Sequence, residues 1–129
     1  MFYVPDTHTL VWYLSADPRL GNQAKTALES VDRGEAHALV PIIVLTEMLD
    51  LEEKGRIAIR LNHLLPILQR HTHYTIVPYT LDLLMALKEI DDIPELHDRM
   101  IAATARRYDA VVLSKDPSIA ASAFVRTIW

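Results

Sequence analysis

The chain contains no cysteine among its 129 residues. That excludes a disulfide framework and any thiolate metal site, and makes the reducing cytosol the expected compartment. Glycine is limited to three residues, and no low-complexity run or internal repeat occurs, which argues against linker-rich or solenoid organisation. No apolar run approaches the length of a membrane span. The opening MFYVPD lacks both a basic segment and a long apolar one, so no export signal and no membrane partner are expected. An excess of positive charge is missing as well. Lys and Arg total 13 against 17 Asp and Glu, a net charge of −4, which argues against a protein that coats nucleic acid by bulk charge.

What is present is one domain, 1–129, with half its residues hydrophobic and enough chain for a proper core. The pattern is organised around 94–119. There PELHDRMIAATARRYD reads as a helix entered through Pro94 and Glu95. Ala110–Leu113 follows as a short apolar strand covered on both faces, and Pro117 opens another helix. Strands are likewise expected at 2–5, 38–40, 74–77 and 123–128. Helices are expected at 7–15, 22–33, 41–54, 56–70 (bent or split by Pro66) and 80–90. Helices alternating with short buried strands make a parallel α/β sheet.

Four acids take comparable places in this pattern. Asp6 and Asp116 stand where a strand gives way to a helix, and Asp98 lies in the first turn of its helix in line with Ile101, Ala102 and Ala105. Glu47 interrupts the apolar stripe of Val44, Met48 and Leu51. Each has an ordinary alternative: Asp6 as a helix cap, Glu47 as the partner of an Arg. In a parallel sheet, strand carboxyl ends and the starts of the following helices share one edge, and that geometry can converge all four. Oxygen-only ligands without thiolate point to Mg²⁺ or Mn²⁺, and a carboxylate cluster of this kind suits phosphoryl chemistry. With those four acids set aside, the remaining 13 acids balance the 13 bases, so a polyanionic substrate is compatible with the charge. His71 and His73 could share a strand face, but lack a third local ligand and are expected at the surface.

Asp6-Thr7-His8, Thr46-Glu47-Met48-Leu49, the block from Leu96 to Ala105 (LHDRMIAATA) and Leu113-Ser114-Lys115-Asp116 together resemble the successive motifs of the PIN-domain ribonucleases. The VapC-like toxins of bacterial toxin–antitoxin pairs are the nearest resemblance. It extends over essentially the whole chain, and HDRMIAATA is its most specific part. The resemblance implies a three-layer α/β/α sandwich with a central, mainly parallel sheet. It further implies metal-dependent endonucleolytic cleavage of RNA, leaving a 5′-phosphate and a 3′-hydroxyl. Asp6, Glu47, Asp98 and Asp116 then become the catalytic and metal-binding acids, with Glu47 orienting or deprotonating the attacking water. Ser114 occupies a position that is usually Thr in these proteins, and keeps the hydroxyl that can support a ligand carboxylate. Arg99 and Lys115 are candidates for phosphate contact, with surface charge as the alternative. A cognate antitoxin protein and a homodimer are the implied partners. Asp109 departs from the family pattern, which often has Gly at this turn.

Other classes fit less well. A PIN-fold module that binds RNA or protein without cleaving would not need the full acidic quartet. A receiver-type phosphoacceptor needs an Asp at the end of a central strand, and Asp50 lies inside a helix. A phosphatase with an N-terminal nucleophilic Asp wants a second Asp two residues on, where His8 stands.

Overall fold

The computed structural model describes residues 1–129. In chain order the elements are β1 (Phe2–Pro5), α1 (Thr7–Leu14), α2 (Asn22–Asp32), β2 (His37–Pro41), α3 (Ile42–Glu53) and α4 (Leu61–Arg70). They continue with β3 (Tyr74–Val77), α5 (Leu81–Glu89), α6 (Leu96–Arg107), β4 (Val111–Leu113), α7 (Pro117–Ala120) and β5 (Arg126–Ile128). The five strands form one sheet in the order β3-β2-β1-β4-β5, every pair parallel. The parallel sheet is what the strand–helix alternation predicts, and helices flank it in the α/β/α arrangement that the resemblance implies.

Apolar strands explain why the sheet lies at the centre. Val4, Val40, Val112 and Leu113 are all fully buried, each worth roughly 1.5–3 kcal/mol of transfer free energy. Helix α6 packs against β1 and β4, with Ile101 and Ala105 buried in the main core, while Ala102 and Ala103 are buried on its other flank. Its outer flank meets α5 in a satellite cluster of Leu87, Ile90 and Ile93.

Two boundaries depart from the sequence pattern. The segment 56–60 is not helical: Gly55 takes a φ of 69°, and the chain leaves extended before Arg60 caps α4. Glu52 Oε1 accepts the Leu61 N–H at 2.6 Å and fixes that later start. Pro66 neither ends nor splits α4, which runs through it to Arg70; the proline sacrifices only the bond its missing N–H would have made. At the other end of the chain β5 starts at Arg126 rather than near Ala123. There Asp92 ties down the preceding turn by accepting from Ser122 Oγ (2.8 Å) and the Ala123 N–H (2.7 Å). No helix is long and apolar enough to cross a membrane.

The order of the strands sets the functional geography. From β1 the chain proceeds outward through β2 and β3, then returns to the other side of β1 with β4. The direction of winding therefore reverses between β1 and β4. In open parallel sheets the crevice beyond the carboxyl ends at such a reversal is where ligands bind.

Candidate active site

Asp6 and Asp116 flank that reversal. Pro5 pairs with Leu113 across β1 and β4, and the Asp6 N–H donates to the Leu113 carbonyl at 3.1 Å. Both acids cap the helices that follow them. Asp6 Oδ1 accepts from the Thr9 N–H (2.9 Å), and Asp116 Oδ1 accepts from the Ser118 (2.8 Å) and Ile119 (3.3 Å) N–H groups. The capping alternative raised for Asp6 is thus correct for one oxygen. In both residues Oδ2 has no partner within the protein, so capping pins the carboxyl group and leaves one acceptor free.

Two threonines that sequence reasoning did not single out hold the acids in place. Fully buried Thr9 has its Oγ1 2.6 Å from Asp6 Oδ1 and 2.7 Å from the Leu113 carbonyl oxygen, so one hydroxyl proton is shared between two acceptors. Thr7, 5% exposed, donates from Oγ1 to Glu47 Oε1 at 2.7 Å. The signal for both was the hydroxyl at each alternate position of Asp6-Thr7-His8-Thr9.

Glu47 lies half-buried on α3, and no Arg pairs with it. Its other neighbour is His97, whose Nδ1 stands 3.8 Å from Glu47 Oε2 and 3.6 Å from Glu95 Oε1. His97 is a third residue missed, since nothing in the local pattern links it to an acid fifty residues earlier.

Asp98 occupies the first turn of α6, where Glu95 caps the helix by accepting its N–H at 2.7 Å. The Asp98 carboxyl group has no hydrogen-bond or ion-pair partner, and its pKa is pushed up from 3.8 to about 6. Burial is the largest cause, followed by the charges of Asp116, Glu95, Glu47 and Asp6. The four acids thus share one field, with Glu95 as an additional member. As they stand, no three Asp, Glu or His side chains are drawn together tightly enough to hold an ion. Like charges without a counter-ion favour such spreading.

The supporting residues divide. Ser114, 2% exposed, accepts the Asp116 N–H on Oγ at 3.0 Å, so its hydroxyl fixes the backbone of Asp116 rather than a carboxylate oxygen. Lys115 is exposed and lines a cleft with Asp6 and Asp116. Arg99 does not join them: its Nη2 donates to the Leu87 carbonyl at 3.1 Å, at the end of α5, and its Nε is buried. A helix C-terminus attracts a guanidinium, which explains why Arg99 turns away from a phosphate-contact role. His71 and His73 lie at the far side of the sheet beside β3, where His71 Nε2 is 4.0 Å from Asp32 Oδ1.

Three solved structures share this fold over almost the whole chain. VapBC2 from Rickettsia felis, bound to a DNA fragment from its promoter, superposes with a TM-score of 0.75 at 17% identity, covering 100% of this chain and 99% of that one. A toxin–antitoxin complex from Klebsiella pneumoniae gives 0.66 at 18%, covering 98% and 96%. FitAcB from Neisseria gonorrhoeae gives 0.68 at 18%, with the same coverage. No curated protein matches by sequence. The PIN domain family model matches residues 3–125, from β1 to the threshold of β5 and across all four acids, and the chain therefore belongs to the PIN domain family.

Proposed function

We propose that this protein is a Mg²⁺- or Mn²⁺-dependent endoribonuclease and the toxin of a toxin–antitoxin pair. The observation that carries the reading is the electrostatic coupling of Asp6, Glu47, Asp98 and Asp116 at the sheet's reversal point, expressed in the raised pKa of Asp98. PIN domains are generally nucleases and usually use divalent metals. The residues suit such an ion: an all-oxygen donor set, two carboxylates each with one pinned and one free oxygen, and an Asp98 carboxyl group that shares the field of the other acids. Asp6, Asp98 and Asp116 would hold it, with Glu47 beside them. When bound, the ion lowers the pKa of water and neutralises charge developing on the scissile phosphate.

The chain's own groups supply the rest. Thr7 holds Glu47 Oε1, which leaves Oε2 to accept a proton from the attacking water. The water oxygen bonds to phosphorus in line as the bond to the 3′-oxygen breaks. That oxygen leaves as an alkoxide that takes a proton from solvent water to become the 3′-hydroxyl, Glu47 returns the proton it accepted to solvent, and the phosphate stays on the 5′-oxygen. Lys115 at the cleft provides a cation for a neighbouring phosphate. The structural neighbours are toxin–antitoxin assemblies, which supports a cognate antitoxin for this chain.

Incubation of RNA with the parent and with Asp6→Asn and Asp116→Asn, in EDTA and in Mn²⁺, tests the proposal. Metal-dependent cleavage by the parent alone, with 5′-phosphate ends, is the expected result. The alternative reading is a silent PIN-fold module that binds RNA or protein. Retained RNA binding with no cleavage in any metal would establish it instead.

A further inference from the structure

The cleft beside Asp6 and Asp116 has a volume of about 530 Å³, and its other walls include His8, Trp12, Lys115 and Trp129. Trp12 and Trp129 are the only tryptophans in the chain. Trp12 is 6% exposed and already surrounded. Trp129 meets it edge-on with ring centroids 5.9 Å apart and planes at 66°, and His8 lies 5.5 Å away. Arg19 Cζ and Lys115 Nζ stand over its ring at 4.7 and 4.8 Å. Arg19 is committed to Asp17 by paired hydrogen bonds of 3.0 and 2.8 Å. Lys115 makes no ion pair, although Asp116 is the next residue. Trp12 is thus a buried pillar that orients two neighbours, while Trp129 and His8 keep ring surface open to the cleft.

Trp129 is also placed from behind. A Cβ on Gly21 would come within 2.6 Å of its carbonyl carbon and 2.7 Å of its indole, and Gln23 Oε1 accepts its N–H at 3.3 Å. Gly21 has an ordinary φ of −68°, so close approach to Trp129, not backbone freedom, is what a side chain there would disturb.

We propose that this cleft is a nucleotide subsite, an inference that rests on the nuclease reading. An unpaired base of the RNA packs on the Trp129 indole beside the cut, and Lys115 Nζ takes a phosphate oxygen of the same nucleotide. The volume lies within the range of small-ligand pockets. An indole face receives a base only when the base is free of its own stack, so the subsite selects single-stranded or looped RNA over duplex. It also gives an acidic protein a hold on a polyanion that does not depend on bulk charge.

Both tryptophans line the cleft, so intrinsic tryptophan fluorescence reports on it. Asp98→Asn protein, which leaves RNA uncut, is titrated with a short single-stranded oligoribonucleotide and with the same sequence annealed to its complement. The single strand should change the emission saturably, with the duplex about tenfold weaker or worse. Adding Trp129→Leu should weaken binding of the single strand, read by anisotropy, by about 10- to 100-fold. Gly21→Ala should weaken it in the same direction by displacing the indole. In the cleaving background both changes should raise KM more than they lower kcat. Melting curves identify any misfolded variant, and if Trp129→Leu is one, Trp129→Phe, which keeps a ring to stack on, should bind far better than Gly21→Ala. Unchanged emission at saturating RNA, equal affinity for single strand and duplex, or full affinity in both variants overturns the subsite. Failure of the nuclease reading looks different: emission responds to RNA, but no metal supports cleavage.

Discussion

Replacing Asp98 by Asn separates a metal-binding cluster from a structural network. The folded protein raises the Asp98 pKa from 3.8 to about 6, and so holds that proton more tightly than the unfolded chain does. The associated stability is fully present below pH 3.8, falls as pH rises through about 6, and is absent above it. A rise of about two units corresponds to roughly 3 kcal/mol at 1.36 kcal/mol per unit. Asp98 is only half-buried, and solvent screening reduces this to about 1–2 kcal/mol. Loss of a negative charge from the first turn of α6 acts the other way by about 0.3–1 kcal/mol. At pH 8 in EDTA, Asp98→Asn should therefore gain about 1 kcal/mol, a melting temperature roughly 3–5 °C higher. Below pH 3.8 the difference should vanish or reverse slightly. Millimolar Mn²⁺ should raise the melting temperature of the parent by mass action, by as much as about 2.7 kcal/mol of stability at a hundred times Kd, and that of the variant much less. A buried ion pair predicts the opposite, a loss of roughly 3–5 kcal/mol in EDTA. Strong destabilisation of the variant in EDTA, with equal metal shifts for both proteins, would refute the reasoning.

Other expectations follow from particular contacts. Thr9→Val keeps the shape but removes the hydroxyl shared by Asp6 and Leu113; it should cost about 1–2 kcal/mol in urea melts and lower kcat for RNA cleavage more than it alters KM. Asp109 holds a φ of 50°, so Asp109→Gly should stabilise the protein by about 0.5 kcal/mol and Asp109→Val destabilise it by about 1–2, as read by urea midpoints. A cognate antitoxin should enter the acidic cleft with a segment bearing Arg or Lys, because a guanidinium satisfies the free carboxylate oxygens; a complex with all four acids open to solvent would contradict this. Ile42, Leu49 and Ile67 are 41%, 40% and 61% exposed on α3 and α4, and a homodimer should cover them; light scattering at micromolar concentration should give twice 14.7 kDa, and a monomer would count against it.

Much of the fold was legible because the signals are local. The apolar runs at 2–5 and 110–113, the proline at the start of α7 and the Ala-rich face of α6 each define an element within a few residues. The same holds for placing Asp6 and Asp116 at strand ends. Where the sequence misled, a distant contact decided: Glu52 sets the start of α4 from nine residues away, and Asp92 sets the start of β5 from thirty. Arg99 looked available for a phosphate until the end of α5, twelve residues back, claimed its guanidinium.

The acidic quartet divides the same way. Its members could be chosen from residue type and from their places at strand ends and helix starts, since those follow from hydrophobic period and capping chemistry. That they share one field was decided by the strand order, which sets β4 beside β1 although more than a hundred residues separate Asp6 from Asp116. The contacts of Thr7 with Glu47, of Thr9 with the Leu113 carbonyl and of His97 with Glu47 are likewise tertiary, because they join distant elements and depend on register and packing. The aromatic cleft is the extreme case. Trp12 and Trp129 lie near opposite ends of the chain, and only the closure of the sheet by β5, with Gly21 making room, brings the two indoles together beside the acids.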